Sequence, residues 1–143
     1  MSIAIPSHAE ILQKYFTVLA SDTTLQSLLG GVPVTNSKVY NHLPQDLPLP
    51  AVRVRWTEVN EWDTKDSAGF EGLFTVDSWA DSRGDKVLLQ IADRIETLTH
   101  LQILTLTSGQ SLILRHDRPL RMMVEADGLT HHAVQHFKHI ATT

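Results

Sequence analysis

Residues 70–98 read FEGLFTVDSWADSRGDKVLLQIADRIETL, and this stretch decides the fold because it joins a strand to a helix. Its first part is rich in the aromatic and β-branched residues that favour a half-buried strand: Phe70, Leu73, Phe74, Val76 and Trp79. The turn that follows contains Ser82, a predicted helix N-cap, and Asp85, whose carboxylate falls near the unpaired amides of the first turn. Apolar residues then recur at helical spacing up to Leu98. The pattern predicts a helix that covers the sheet, with Trp79 closing the core beneath it.

The first part of the chain carries two helix signals. Residues 7–10 read SHAE, a capping box in which the hydroxyl and the carboxylate satisfy backbone amides at a helix start. An apolar stripe follows, so a helix is predicted over about residues 8–20. Asp22 is placed to cap a second, short helical turn. Gly30-Gly31 ends that turn, because glycine adopts the left-handed conformation common at helix C-termini.

Strand signals lie on both sides of residues 70–98. Val39-Tyr40 predicts only a short strand, because the prolines around it exclude a long central one. Residues 51–59 alternate between apolar and polar side chains, which is typical of a strand buried on one face. Asp127-Gly128 predicts a hairpin turn into a last strand. Between the second long helix and that turn, shorter strands are predicted over residues 101–106, 111–114 and 120–125.

This order of elements predicts an α+β fold, with a single antiparallel-rich sheet and two main helices packed on one face. At 143 residues the chain is expected to form one domain over residues 1–143. Residues 60–69 are too long and polar for a tight turn and are expected to form a mobile loop. The ends, residues 1–6 and 141–143, are expected to be flexible.

Composition excludes several kinds of function. The formal net charge is −4, and the basic residues are scattered, with one local concentration between Arg115 and Arg121. Tight binding of nucleic acid requires clustered cations, so it is not predicted. The chain has no cysteine, which excludes thiolate metal sites and cysteine nucleophiles. It shows no signal peptide and no apolar run of the roughly 20 residues that span a bilayer, so a cytoplasmic protein without a membrane partner is expected.

Four histidines near the C-terminus form the most conspicuous candidate site: His131, His132, His136 and His139. On the strand predicted there, His132 and His136 share a side but lie roughly 13 Å apart, too far to bind one ion. A zinc site also needs further ligands with oriented partners. No metal or other cofactor is therefore predicted, and a small metal-binding domain is the rival interpretation.

Carboxylates around the strand–helix joint are the other candidates for chemistry: Asp77, Asp81, Asp85 and Asp93. A pair of carboxylates can perform general acid–base catalysis. Helix capping and ion pairs with Arg53, Arg55 or Arg94 are the favoured interpretation. The chain has neither a nucleophile elbow nor a phosphate-binding glycine loop, so an enzyme is not predicted.

Trp62 is unexpected within the polar loop at residues 60–69. It either folds back onto the sheet or serves as an anchor for a partner surface. The second interpretation makes the loop and the adjoining strand a candidate assembly interface, which comprises Trp62, Asp63, Lys65, Asp66, Arg53 and Arg55.

The order of these weak motifs resembles one known family. The features that carry the resemblance are the N-terminal helix leading to LQSLLGG at residues 25–31, Val39-Tyr40, the proline-rich approach to Val52, FTVDSWAD at residues 74–81 and DGLTHH at residues 127–132. In this order the chain resembles the tail completion (tail terminator, gp17-like) proteins of long-tailed bacteriophages and prophages. The resemblance extends from about residue 9 to residue 138.

The resemblance implies a structural role. Proteins of this group are subunits of a homo-hexameric ring at the head-proximal end of the tail tube, where the ring ends tube polymerisation and joins the head. It implies as partners the tail tube protein and a head-side connector or stopper, with DNA passing through the lumen without specific binding. It implies a place in the neck of the virion, with assembly in the host cytoplasm, and no catalytic residues. Another neck or connector subunit is the alternative within the same particle.

Overall fold

The computed structural model describes residues 8–32, 37–43, 48–61, 69–81, 85–107 and 111–142. Within these ranges the chain forms three helices and six strands. In chain order they are α1 (His8–Ser21), α2 (Thr23–Leu29), β1 (Val39–Tyr40), β2 (Ala51–Glu61), β3 (Gly69–Ala80), α3 (Lys86–Thr99), β4 (Gln102–Thr105), β5 (Ser111–Val124) and β6 (His131–Thr142).

The strands form one sheet in the order β1-β2-β3-β6-β5-β4. The described neighbours pair antiparallel except β1, which runs parallel to β2, so the sheet is mixed. The predicted α+β class is confirmed, and the predicted antiparallel-rich sheet contains one parallel pair among its described neighbours. No described helix combines the length and the apolar character needed to cross a membrane.

The helices pack on one face of the sheet, and the core lies between them. Tyr15 of α1 contacts Phe74 of β3, with ring centroids 4.4 Å apart, and Phe74 stacks on Phe137 of β6 at 5.7 Å. The two phenylalanine rings are buried because each strand alternates and presents every second side chain to the helices. The other buried apolar side chains of this layer are Ile11, Leu19, Leu25, Leu29, Val39, Val52, Val54, Val76, Ile91, Ile95, Leu106, Leu112 and Leu114.

The helix boundaries confirm one predicted cap and correct another. Asp22 caps α2, since its Oδ2 accepts a hydrogen bond of 2.8 Å from the Leu25 amide, and Gly30 ends that helix with φ +76°. Helix α3 begins at Lys86, so the residue at its N-cap position is Asp85 and not the predicted Ser82, which lies outside the described residues. The Asp85 carboxylate makes no capping bond and instead lies 2.8 Å from Nδ1 of His131.

Strand β5 is longer than the sequence predicts. Residues 111–114 and 120–125 were expected to form separate strands, but β5 runs without interruption from Ser111 to Val124. Pro119 interrupts the alternation without ending the strand, because the pairing with β6 shifts register between His116 and Arg118 and again between Arg118 and Arg121. Proline is tolerated at such irregularities and where a strand has a neighbour on one side only. Both conditions hold near Pro119, because β4, on the other side of β5 from β6, pairs only with residues 111–114.

The position of Trp79 differs from the prediction that it closes the core. Phe74 and Val76 face the helices, so Asp77 and Trp79 alternate onto the opposite face. There the Trp79 ring stacks on His132 with centroids 4.5 Å apart, and the Arg53 guanidinium lies 5.1 Å from the ring centroid. Trp79 is therefore part of a polar cluster on the side of the sheet away from the helices.

Candidate assembly surfaces

The face of the sheet opposite the helices, called the open face below, is organised around one buried carboxylate. Asp77 is fully buried, and its Oδ2 accepts hydrogen bonds from Nε of Arg55 at 2.6 Å and from Nη2 of Arg53 at 3.1 Å. Nε2 of His132 lies 2.9 Å from the other carboxylate oxygen. The strands β2, β3 and β6 are thus joined by one anion, as the predicted pairing of Asp77 with Arg53 and Arg55 requires.

Electrostatics keep this carboxylate ionised. Burial by itself raises the pKa of Asp77, but hydrogen bonds from His132, Arg55 and Arg53 outweigh burial and lower the pKa from 3.8 to about 2. His132 extends the cluster, because its Nδ1 lies 2.9 Å from Oε1 of Glu125. A carboxylate held by three fixed partners is suited to holding strands together and not to exchanging protons near neutral pH.

The basic residues of β5 form a row on the same face. Arg115, Arg118 and Arg121, called the arginine row below, are opposite Lys138, His136 and Val134 of β6. These three β6 partners are alternate residues, so all three arginines project from one face of the sheet. In a regular strand a spacing of three residues would put neighbouring arginines on opposite faces. The two register shifts bring them together, about 7 Å apart along the strand.

Much of this positive charge is not neutralised. Arg118 contacts Asp117 at 3.1 Å, and Lys138 beside the row contacts Glu71 at 3.0 Å. Arg115 and Arg121 make no ion pair with any described residue. The nearby charge of Arg118 adds to burial in lowering the pKa of His136 below its usual 6.5. The open face therefore presents a strip of positive charge on a chain whose formal net charge is −4.

One end of the sheet exposes apolar side chains. Strand β4 is the last strand of the sheet. Ile103 in β4 is 65% exposed, and Leu101, just before the strand, is 66% exposed. Ile113 of β5, which is opposite Ile103, is also exposed. Leu101, Ile103 and Ile113 are called the β4 edge patch below. An edge strand with exposed apolar residues is a surface that favours pairing with another chain.

The end of the β5–β6 hairpin is a second apolar surface. Met123, Val124 and Leu129 are exposed there, whereas Met122 packs towards the buried Leu88 and Ala133. The predicted Asp127-Gly128 turn is present, with Gly128 at φ +74°. Oδ1 of Asp127 accepts hydrogen bonds from the amides of Leu129 and Thr130, each at 2.8 Å. The turn is thus rigidly held, and it presents Leu129 to solvent.

The C-terminal histidines are distributed over both faces of the sheet. His132 and His136 lie on the open face, where His136 Nδ1 is 3.3 Å from the Thr75 hydroxyl. His131 faces the helices beside Asp85, and His139 is fully buried near Phe74. Within the described ranges, no three histidine or carboxylate residues are grouped so that they could hold a metal ion.

The predicted interface residues fall into two groups. Arg53 and Arg55 lie on the open face and are held by Asp77. Residues 62–68, which contain Trp62, Asp63, Lys65 and Asp66, lie outside the described residues. The sequence shows the basic concentration between Arg115 and Arg121, but strand periodicity alone would scatter these arginines over both faces of the sheet. Pro119 within the segment was the one available signal of an irregular strand.

These features define a class of protein: a small α+β domain whose mixed sheet leaves one charged face and one apolar edge available for contact with other subunits. The chain belongs to the family of tail completion protein gp17, whose model matches residues 13–142. The resemblance deduced from the order of motifs is confirmed. The protein is thus a structural protein of phage tails.

Two solved structures share the fold. A chain in the structure "Virion of native gene transfer agent (GTA) particle" aligns with a TM-score of 0.73 and 20% identity, covering 96% of this chain and all of the other. A second solved chain aligns with a TM-score of 0.56 and 14% identity, covering 96% of this chain and 97% of the other. No curated protein matches the sequence. At these identities the likeness concerns the fold.

Proposed function

We propose that this chain caps the head-proximal end of the tail tube as a ring of six copies. The ring ends tube polymerisation and provides the surface to which the head is joined. The observation that carries the proposal is a tail completion fold, matched over residues 13–142, whose sheet ends in the exposed β4 edge patch. Support also comes from the GTA chain, which belongs to a virion particle and aligns over its whole length.

The arrangement of the sheet suits ring closure. A ring of identical subunits requires a heterologous interface, in which two different surfaces of each copy meet. The β4 edge patch lies at one end of the sheet, and β1 lies at the other end, so the two sheet ends differ in sequence and chemistry. When one end of the sheet contacts a different surface of the next copy, each added copy leaves a free surface for another. Such assembly continues around an axis until a ring closes and does not stop at a dimer.

The interface proposed from the sequence completes this picture. Trp62, Asp63, Lys65 and Asp66 join β2 to β3 and contact the next copy, while Arg53 and Arg55 keep β2 rigid through Asp77. The other partners of the ring are the tail tube protein and the head-side connector or stopper. DNA passes through the lumen without specific binding, and the protein resides in the neck of the tail.

Electron microscopy of concentrated protein and of tails assembled without it tests the proposal. Six-fold rings, together with tube lengths that become uncontrolled when the protein is omitted, are the expected results. Tails of normal length that fail to join heads in its absence would instead assign the chain to another neck or connector position. A chain that forms no ring and alters neither tail length nor head joining contradicts the proposed function.

A further inference from the structure

We propose that the arginine row contacts the phosphate backbone of DNA, without regard to base sequence, and that the open face is turned towards the lumen of the ring. The contact itself follows from the charges of β5, whereas its place in a lumen rests on the proposed function. The row consists of three arginines that project from one face at levels about 7 Å apart: Arg115, Arg118 and Arg121. Clustered cations of this kind are what proteins use to bind a polyanion.

The open face keeps an excess of positive charge along β5. The two outer arginines of the row are exposed and make no ion pair within the described part of the chain. Arg118 contacts Asp117, and Lys138 beside the row contacts Glu71. Four cations are therefore balanced by two carboxylates. By contrast, the arginines of β2 on the same face are held by the buried Asp77.

The arrangement fits an extended polyanion better than a single anion. The outer arginines are opposite Lys138 and Val134 of β6, which are four residues or about 13 Å apart. Neighbouring charges about 7 Å apart lie within the Debye length of about 8 Å in physiological salt, so their potentials add along the row. A lone phosphate or carboxylate spans only part of this length. Duplex DNA carries one charge for about every 1.7 Å of its axis, so it can contact all three arginines at once.

The surroundings of the row favour nucleic acid over an acidic polypeptide. The centres of protein–protein interfaces are depleted of charge and rich in apolar side chains, whereas interfaces with DNA are more polar and strongly positive. The side chains next to the row on β6 and β3 include His136, Lys138 and Thr75, which are polar. Val134, which is also next to the row, is buried. The middle of β5 thus has the composition of a DNA contact.

The position of the row suits a lining surface. Along β5 the row lies between Ile113 of the β4 edge patch and the exposed Met123 at the end of the hairpin. Neighbouring copies that cover these two apolar surfaces leave the row between them uncovered.

The overall charge of the chain makes this contact weak in each copy. The formal net charge is −4, so most of the molecule repels a polyanion while the row attracts it. Copies arranged around one duplex add their contacts together. Contacts with phosphates carry no sequence information and allow DNA to slide. A weak contact of this kind agrees with a composition that does not favour tight binding of nucleic acid.

Neutralisation of the row tests the contact. The row variant is Arg115→Gln with Arg121→Gln, which removes the two unpaired cations and leaves the contact between Arg118 and Asp117 in place. Binding of two labelled duplexes of unrelated sequence is measured by fluorescence anisotropy over a range of salt concentrations. The wild-type chain is expected to bind both duplexes equally. The row variant is expected to bind about tenfold more weakly at low salt, and its slope of log K against log salt is expected to be shallower by about 1.8, because each phosphate contact contributes about 0.9.

Two matched variants separate the row from general effects of charge. Lys14→Gln with Lys86→Gln also removes two exposed cations, but from α1 and α3, and is expected to bind DNA like wild type. Arg115→Lys with Arg121→Lys keeps the charges and is expected to retain most of the binding. Far-UV circular dichroism and urea midpoints verify that each variant is folded. A wild-type chain that does not bind DNA at low salt, or a row variant that loses no more binding than the helix variant, contradicts the phosphate contact.

Ring formation and binding of polyglutamate are measured on the same proteins. The row variant is expected to form rings as wild type does, because the row does not join subunits. Rings lost in the row variant alone, or tighter binding of polyglutamate than of DNA by the row, overturn the inference and leave the proposed ring intact, since the row is then a contact between proteins. A wild-type chain that forms no ring and alters neither tail length nor head joining overturns the proposed function and the place of the row in a lumen. Binding of DNA through the row by that same chain would still uphold the phosphate contact.

Discussion

Oδ1 of Asp77 lies 2.9 Å from Nε2 of His132, and this contact joins the two central strands β3 and β6 on the open face. The carboxylate is fully buried, although the helices cover the other side of the sheet. On the open face it is contacted by the arginines of β2, and Arg53 lies in turn over the Trp79 ring. The open face therefore has a fixed ionic centre, around which the exposed arginines of β5 are arranged.

Asp77→Asn is expected to destabilise the fold. The change leaves Arg53, Arg55 and His132 around a neutral amide, and removal of one partner from a buried ion cluster costs about 3–5 kcal/mol. Solvent screens the partly exposed arginines, so a loss of about 2–3 kcal/mol in the free energy of unfolding is expected. Urea denaturation measures it. The control is Asp81→Asn, which removes an exposed carboxylate next to the same strand and is expected to change the free energy by less than about 0.5 kcal/mol.

The same carboxylate governs stability in acid. The pKa of Asp77 is about 2 in the folded chain against an ordinary value of 3.8, so the unfolded chain binds the proton first as pH falls. The stabilisation is present above about pH 4 and is lost as pH falls towards 2. Urea midpoints from pH 5 to pH 2.5 are expected to decline more steeply for wild type than for Asp77→Asn. Parallel curves for the two proteins would show that Asp77 does not carry this dependence.

His139 is expected to make the free energy of unfolding depend on pH in a second range, above that of Asp77. Burial, with a smaller contribution from His8, lowers its pKa from 6.5 to about 4, so the folded chain keeps the imidazole neutral while the unfolded chain protonates. The free energy of unfolding therefore falls as pH decreases from 6.5 to 4, by roughly 3 kcal/mol. His139→Leu has a similar volume and is expected to remove this slope. His42→Gln, at an exposed histidine, is the control and is expected to retain the slope.

Local signals in the sequence predict much of the fold. The Asp22 cap and the Asp127-Gly128 turn depend on neighbouring residues only, and the structure contains both. Helix α1 begins at His8, beside the predicted capping box, whose Ser7 lies outside the described residues. The pairing of Asp77 with Arg53 and Arg55 was also foreseeable, because alternation on adjacent strands puts opposite charges on one face. Such features require no knowledge of distant contacts.

Two features were missed: the face of the sheet on which Trp79 lies, and the register of β5 against β6. Trp79 was assigned to the core on hydrophobicity, yet alternation from Phe74 puts it on the open face, where His132 compensates by stacking. The arginine row exists only because two shifts against β6 change the period of β5 from two residues to three. A single sequence does not give the position of a bulge, so the principal charged surface was not predictable.

Asp22 links helix capping to tertiary structure, and two substitutions separate these roles. Its carboxylate caps α2 and also accepts hydrogen bonds from Nε and Nη2 of Arg94 on α3, at 2.9 and 2.8 Å. Asp22→Ala removes both contacts and is expected to cost at least about 1 kcal/mol from the cap alone. Asp22→Asn keeps a good cap and is expected to cost less. Thermal denaturation measures the stability lost in each variant. Equal losses in the two variants would show that capping contributes nothing to stability. Asp93→Ala, at an exposed position on α3, is the control.

Ile103→Lys tests the β4 edge patch as an assembly surface. Ile103 is 65% exposed, so a lysine there is expected to leave the free energy of unfolding within about 0.5 kcal/mol of wild type. A charge on an edge strand opposes the addition of another chain, so the concentration required for ring formation is expected to rise roughly tenfold or more. Leu89→Lys is the matched control, because Leu89 is an exposed apolar residue on α3, away from the edge. Equal weakening by both variants would indicate a general effect of charge. Unchanged assembly of Ile103→Lys would exclude the β4 edge from the interface and would leave the β5–β6 hairpin end as the apolar surface that meets the next subunit.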